Sequence, residues 1–427
     1  MPLPAGSRLL ALVNTAAGNG TAQQLIDDAV SEVFGPAGIV VEQLATTHLG
    51  HARDYVEAMP ADELYSLAGL IIVSGDGLIA EVIQGLSRRS DADKALQMPL
   101  GPYPAGSGNG LCKSIMHACG YEGEVEPLEV ARLIASGDSR PLDLATISLS
   151  GPSDAVPNPF TSFLSVSWGL IGDVDISADF LRAQMGADRF QHSYTRRLRY
   201  PRLYHGALSY RPAGVAAADA PLPPLGQPLD LGSGWVTLEG PFLTLWACNV
   251  PWMTLESHVA PNAKFDDGMW QLAVGHGAAL ADMTPEELQA VVLEVQGAMN
   301  AHEEHPLFEV IETSAWRLEP TGRAEGASNE SVEKIRSVGA KAMSRALGVS
   351  EEEGAEAMEA AGVSTEGDVD RVIELAATGK TLYSEQAGFI SVDGEWAKYG
   401  DTQVDVHPGM GRVFFSPKGS SSPAAKL

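Results

Sequence analysis

Over the first 145 residues, short β-rich apolar runs alternate with helical stretches, and the junctions between them carry glycine. Residues 9–14 read as a first strand, followed by the loop Thr15-Ala16-Ala17-Gly18-Asn19-Gly20. Leu25, Ile26, Ala29, Val30 and Val33 recur at helical spacing over 22–34. Residues 39–45 form a second strand and 51–58 a second helix. The apolar run 67–73 ends in Ser74-Gly75-Asp76-Gly77, after which Ile79, Val82, Ile83 and Leu86 mark a third helix. A fourth junction, Pro104-Ala105-Gly106-Ser107-Gly108-Asn109-Gly110, opens a helix over 111–119. This rhythm predicts an α/β layer on a parallel sheet.

Beyond Arg140 the pattern changes to β-rich segments between Pro/Gly loops: 142–149, 161–168, 205–210, 235–238 and 242–249. These predict a mostly antiparallel β-sandwich. Residues 213–234 read as a loop, and Thr284 and Pro285 open a helix over 284–302. An Ala/Glu/Lys-rich stretch, 323–385, predicts helices over 331–347, 351–361 and 369–377 and lies between β-like runs at 309–318 and 388–392. It therefore reads as an insertion. Its spacing is similar to a ubiquitin-associated three-helix module, which would take a protein partner; a solvated helical insertion without a partner is the competing reading. The organisation expected is an α/β nucleotide-binding unit at 1–145, a β-rich unit at 146–322 and 386–417 carrying the insertion 323–385, and a disordered tail at 418–427.

Composition narrows the function. The 427 residues hold 28 basic and 55 acidic side chains, a formal charge of −27, which argues against a nucleic-acid surface covering the protein. Three cysteines, Cys112, Cys119 and Cys248, make an odd count with no Cys-x-x-Cys and suit a reducing interior. No apolar run approaches the ~18 residues of a membrane span, and 9–13 is too short for a signal core. A cytoplasmic protein is expected. The ending Ala425-Lys426-Leu427 resembles a peroxisomal address.

Three glycine-rich turns at the carboxyl ends of predicted strands suit an anion, because glycine lets successive N–H groups curl inward and the next helix adds its dipole. The Lys-Ser/Thr of a P-loop is absent, and Gln23 stands where a dinucleotide fingerprint needs its last glycine. Asp76, between two glycines past a buried strand, could accept a proton or reach a metal; capping the next helix is the structural alternative. Glu81 on its own reads as a surface glutamate, and Arg182 and Arg189 as surface cations.

At these residues the chain resembles the diacylglycerol kinase-like lipid kinases, specifically the sphingosine (long-chain base) kinases. The resemblance rests on Asn14–Gly20, Ser74-Gly75-Asp76-Gly77-Leu78, Pro104 to Asn109, Ser167-Trp168-Gly169-Leu170-Ile171-Gly172-Asp173-Val174-Asp175, Arg317-Leu318-Glu319-Pro320 and Val392-Asp393-Gly394-Glu395. It leaves out 323–385, the loop near 213–234 and the tail. It implies ATP contacts from Asn14, Gly18, Gly20, Thr46, Ser74, Gly75, Gly77, Glu81, Gly106, Ser107 and Gly108. Arg182 and Arg189 match phosphate-binding arginines, and Asp393, Gly394 and Glu395 match a returning strand that faces the nucleotide. Asp76 matches the catalytic carboxylate. Asp175 matches the one that recognises the lipid headgroup, with Ser74, Ile171, Val174 and Phe190 also at substrate positions. Phe242, Leu245, Trp246, Trp252 and Met253 are looser candidates for an apolar cavity. Mg²⁺ is implied, held mainly by the ATP phosphates, with Asp76 as a candidate ligand.

The chain departs from the family at Thr15, where proline is usual, at Asn19, where a cation often sits, and at Thr47, where glutamate is common. After Phe190, where some members present apolar residues, the sequence turns polar and basic through Arg196, Arg197, Arg199 and Arg202. Peripheral attachment to anionic lipid is therefore expected, and the resemblance allows a homodimer. The implied reaction is phosphoryl transfer from ATP to the primary hydroxyl of a long-chain base. The alternatives are a ceramide or diacylglycerol kinase of the same superfamily, and a silent lipid-binding adaptor.

Overall fold

A computed structural model describes residues 2–18, 20–150, 156–179, 189–190, 192–194, 204–215, 222–229, 234–277, 287, 290, 305, 307–321, 388–397 and 399–419. The first half runs β1 (Arg8–Val13), α1 (Ala22–Ala29), β2 (Val40–Ala45), α2 (His51–Ala58), α3 (Ala61–Leu64), β3 (Gly69–Ser74), α4 (Asp76–Ser87), α5 (Ala92–Ala95), β4 (Leu100–Pro104), α6 (Gly110–Ala118) and α7 (Pro127–Ala135). Its strands are parallel, in the order β4-β3-β1-β2. β1 and β3 are apolar almost throughout because both faces are covered, whereas β2, at the edge, is largely exposed. The helix predicted over 22–34 ends its α-helical part at Ala29. It widens into a π-turn over Val30–Phe34, with Gly35 N–H on Val30 O, and Phe34 is fully buried.

The second half comprises β5 (Ser139–Leu149), β6 (Phe160–Ser162), β7 (Ser165–Gly169), α8 (Leu170–Asp179), β8 (Gly206–Pro212), β9 (Val236–Glu239), β10 (Phe242–Cys248), β11 (Trp270–His276), β12 (Phe308–Pro320), β13 (Ile390–Val392), β14 (Glu395–Ala397) and β15 (Thr402–Phe414). Pairing here is antiparallel, in the order β14-β13-β7-β10-β11-β12-β15, with β5 beside β15 and β8 beside β12. The returning strand β15 also meets β4 in parallel, Val413 opposite Leu100, so the two halves share one continuous hydrogen-bonded network.

Several sequence expectations change. The strand expected over 161–168 is two strands, because a tight turn at 162–165 interrupts it. The Asp173-Val174-Asp175 segment lies on helix α8. β11 and β15 were not anticipated; β15 contains Pro408-Gly409-Met410-Gly411, which reads as a turn but is accommodated as an irregularity between His407 and Gly411 in the β5 pairing. The helices expected over 331–347, 351–361 and 369–377, and with them the ubiquitin-associated likeness, lie outside the described residues. So do the ending Ala425-Lys426-Leu427 and, apart from Glu287 and Ala290, the helix expected over 284–302. Among the described residues no helix is long and apolar enough to cross a membrane.

The packing fixes the start of α4. Its far end crosses α2 closely: a Cβ at Gly85 would lie 2.4 Å from Arg53 O and 2.3 Å from a Val56 methyl. Arg89 Nη1 then donates to Val56 O and Met59 O. On the other side, Gln84 Nε2 donates to Thr161 O at 2.7 Å, joining α4 to β6. A helix held at three places leaves its first residue, Asp76, little freedom.

Candidate active site

The three glycine loops converge by direct backbone contact. A Cβ at Gly106 would stand 2.3 Å from both N and Cα of Gly75, one at Gly75 would lie 2.6 Å from Gly108 O, and one at Gly18 would meet Ala105 O at 2.5 Å. Gly18 also has φ +56°. Backbone atoms cannot step aside as a flexible side chain can, so only glycine permits this approach. Gly77 and Gly108 serve a different purpose. The nearest atom to a Cβ at Gly77 is Glu395 Oε1, at 3.8 Å, and at Gly108 it is Asp76 Oδ2, at 3.4 Å. Cβ atoms at these two positions would meet side-chain oxygens and no backbone. Asn14 joins the first loop to the second: its Nδ2 reaches Ser74 Oγ at 3.4 Å, while its Oδ1 accepts from Ala16 N–H. Thr46 sits at the end of β2, its N–H on Val13 O.

Asp76 is the first residue of α4 and is 6% exposed. Its Oδ2 accepts the N–H of Gly110 at 2.7 Å and its Oδ1 that of Leu111 at 3.3 Å, so the carboxylate sits on the first turn of α6 and not merely at the head of its own helix. Burial raises its pKa to about 6; the two N–H bonds oppose that rise and the nearby Asp393 adds to it.

Asp393 has φ +50° in the turn between β13 and β14. The expectation that it faces the nucleotide needs correction for its carboxylate, which is 3% exposed and turned into the protein. Oδ1 accepts from Ser162 Oγ (2.6 Å), Leu164 N (3.0 Å) and Ser165 N (2.9 Å), and Oδ2 from Phe163 N (3.1 Å). This carboxylate makes the turn that splits β6 from β7. Its neighbour Glu395 is the member of the motif that comes to Gly77. Gly394, φ +85°, turns the chain between them.

Asp175 lies on α8, where residues two apart point to nearly opposite sides. Asp173 is fully buried: Tyr204 Oη donates to its Oδ2 at 2.6 Å and Phe389 N–H to its Oδ1 at 2.8 Å. Asp175 is half-buried, and Ser391 Oγ donates to its Oδ2 at 2.5 Å. The sequence drew attention to Asp175 but gave Asp173 and Ser391 no role. Had a helix been assigned there, its geometry would have separated the two carboxylates.

Arg189, 3% exposed, reaches from the second half to the third glycine loop, its Nη2 3.4 Å from Ser107 Oγ, and its guanidinium lies 4.2 Å from the Phe190 ring centre. Arg182 lies outside the described residues. Glu81 is one and a half turns into α4; its Oε2 is screened from solvent and has no hydrogen-bond partner among the described residues, which suits a donor supplied by a ligand. Val174 belongs to a small apolar cluster with Leu170, Tyr194, Leu243 and Leu307, separate from the main core, and Ile171 packs at its edge. Phe242 and Leu245 belong to the main core instead, and Trp246 packs against it. Trp252 and Met253 approach the start of α6, where their carbonyls would lie 2.7 and 2.6 Å from a Cβ on Gly110. These looser cavity candidates are therefore not gathered around Val174.

The diacylglycerol kinase catalytic domain family matches residues 8–147. Sphingosine kinase 1 of Arabidopsis thaliana is 30% identical over 342 residues, covering 76% of this chain and 67% of that protein. Sphingosine kinase 1 of Mus musculus is 30% identical over 334 residues, covering 74% of this chain and 84% of that protein. In fold, the chain is similar to the crystal structure of a diacylglycerol kinase from Bacillus anthracis, with a TM-score of 0.51 at 13% identity over 96% of this chain and 97% of that one. With glycine loops around a buried carboxylate and relatives of this coverage, the chain belongs to the sphingosine kinases of the diacylglycerol kinase-like superfamily and is a lipid kinase.

Proposed function

We propose that the protein transfers the γ-phosphoryl group of ATP to the primary hydroxyl of sphingosine or a related long-chain base, giving the 1-phosphate. Asp76 takes the proton and Asp175 binds the substrate amine. The observation that supports this reading is the buried Asp76 carboxylate, held on the first turn of α6 where the three glycine loops meet. Asp175, on α8, accepts a hydrogen bond from Ser391.

In this reading the hydroxyl oxygen attacks the γ-phosphorus in line, the bond to the ADP oxygen breaks, and the hydroxyl proton passes to Asp76. A carboxyl raised to about 6 is still mostly ionised near pH 7 and is a stronger base than an ordinary aspartate. The loops at Gly18, Gly20, Gly75, Gly77, Gly106 and Gly108 hold the phosphates with backbone N–H groups, and Ser74 and Ser107 add hydroxyls. Arg189 and Arg182 balance charge on the transferring group. Asn14, Thr46 and Glu81 face the rest of the nucleotide. Mg²⁺ would be held by the oxygen donors of Asp76, at the start of α4, and Glu395, which comes to Gly77, and would supply neutralisation of the phosphate charge. Ile171, Val174 and Phe190 line the start of the lipid chain's path. Amine selectivity follows because a neutral acceptor leaves the Asp175 carboxylate without its cation.

The test supplies purified protein with labelled ATP, Mg²⁺ and a panel of long-chain bases, beside ceramide and diacylglycerol. Label is expected in the 1-phosphates of the bases; label confined to the neutral lipids, or none in any lipid, refutes the assignment. Gly106→Ala tests the cradle. Its Cβ cannot fit 2.3 Å from the Gly75 backbone without moving the loop. A displacement of about 1 Å costs on the order of 100-fold, so kcat/KM for ATP is expected to fall by about that factor in steady-state assays.

A further inference from the structure

We propose that Ser391 on β13 is a positioning and specificity-determining residue, which holds the Asp175 carboxylate in the orientation that receives the substrate's ammonium group, with Asp173 as the anchor behind it. This rests on the assignment of Asp175 as the amine-binding group and adds what sets its direction.

The short strand β13 touches helix α8 at three successive points. Phe389 N–H, just before the strand, donates to Asp173 Oδ1, and Ser391 Oγ donates to Asp175 Oδ2. Between these, the helix backbone comes so close to the chain that a Cβ on Gly172 would lie 2.3 Å from Phe389 O. Tyr204 Oη closes the other side of Asp173. The helix therefore cannot roll about its axis without breaking the buried Asp173 bonds, and rolling is the motion that would swing Asp175 away.

Asp173 fixes the helix, but a half-buried aspartate can still turn about its own side-chain bonds. Ser391 removes that freedom. It is 2% exposed, so its hydroxyl has little water to compete for the bond. The Ser391 hydroxyl is a neutral donor and does not itself neutralise the carboxylate it holds, whereas a lysine or arginine at 391 would. Just past the strand lies Asp393, whose carboxylate builds the 162–165 turn. Residues 389–393 thereby tie the helix that carries Asp175 to the turn between β6 and β7.

The experiment is a double-mutant cycle on the full chain, using Ser391→Ala, Asp175→Ala and the pair, with sphingosine and ceramide as acceptors. Hydrogen bonds to charged groups are the stronger kind, so Ser391→Ala is expected to raise KM for sphingosine roughly tenfold while leaving KM for ATP and the rate on ceramide unchanged. Ser391→Thr, which keeps the hydroxyl, should restore most of the loss. In the Asp175→Ala background the serine change should do nothing further. A merely structural role would instead lower the melting temperature and both acceptor rates together, and that result overturns the proposal. So does an equal penalty from Ser391→Ala with and without Asp175. If Asp175→Ala itself treats the two acceptors alike, the amine-binding assignment fails along with the proposal. If Asp175→Ala discriminates but Ser391→Ala is silent, only the role of Ser391 falls.

Discussion

Replacing Asp76 with Asn should lower kcat by about 10²–10⁴-fold, the usual range for losing a general base, while KM for ATP changes little. The amide oxygen can keep the 2.7 Å bond from Gly110 N–H, at the cost of the longer 3.3 Å bond from Leu111, but an amide cannot take a proton. The pH dependence separates this from a loss of fold. Because burial lifts the Asp76 carboxyl to about 6, wild-type kcat/KM should rise with pH through about 6 and then level. An ordinary aspartate would place that limb near 4. The Asn variant should lack the limb. A residual rate with the same pH profile as wild type would show that another group takes the proton.

The second large effect is on stability. Asp393→Ala removes the acceptor for Ser162 Oγ and for the N–H groups of Phe163, Leu164 and Ser165, in a buried turn. At about 1–3 kcal/mol for each buried donor left unsatisfied, partly offset by no longer burying a charge, a loss of roughly 3–5 kcal/mol is expected. That is a large share of the ~5–15 kcal/mol typical of a folded domain. The sign of the pH dependence follows from the raised carboxyl, lifted to about 6 chiefly by burial. A group whose folded-state pKa is raised contributes most below its unfolded value near 4, and that contribution fades as pH climbs through 6. The gap between wild type and Asp393→Ala in urea denaturation should therefore be wider at pH 4 than at pH 7. A gap that widens with rising pH would contradict this account of Asp393.

The parallel half was largely legible from sequence because each cue there is local. The buried strands β1 and β3 are near-continuous apolar runs, and the glycine turns follow them directly. The second half was less so because its cues lie far apart in the chain. The break between β6 and β7 depends on Asp393, more than 220 residues away. β15 carries a Pro-Gly-x-Gly that signals a turn, and only its partner β5 reveals the strand. The site shows the same division. Asp76 and the loops stood out by spacing, but the N–H groups of α6 that hold Asp76 did not. The resemblance marked Asp175, whereas Ser391 and Asp173 emerged only once α8 and β13 were placed side by side. Asp393 was expected at the nucleotide, yet its carboxylate is fully engaged with the 162–165 turn, and Glu395 is the residue that reaches Gly77.

The account turns on two carboxylates serving one bound lipid, and the most direct test is the ratio of kcat/KM for sphingosine over ceramide in wild type and in Asp175→Ala. The account predicts a ratio well above one that collapses toward unity in the variant, with Asp76-dependent transfer to ceramide still measurable. An unchanged ratio, with both acceptors reduced equally, would contradict it.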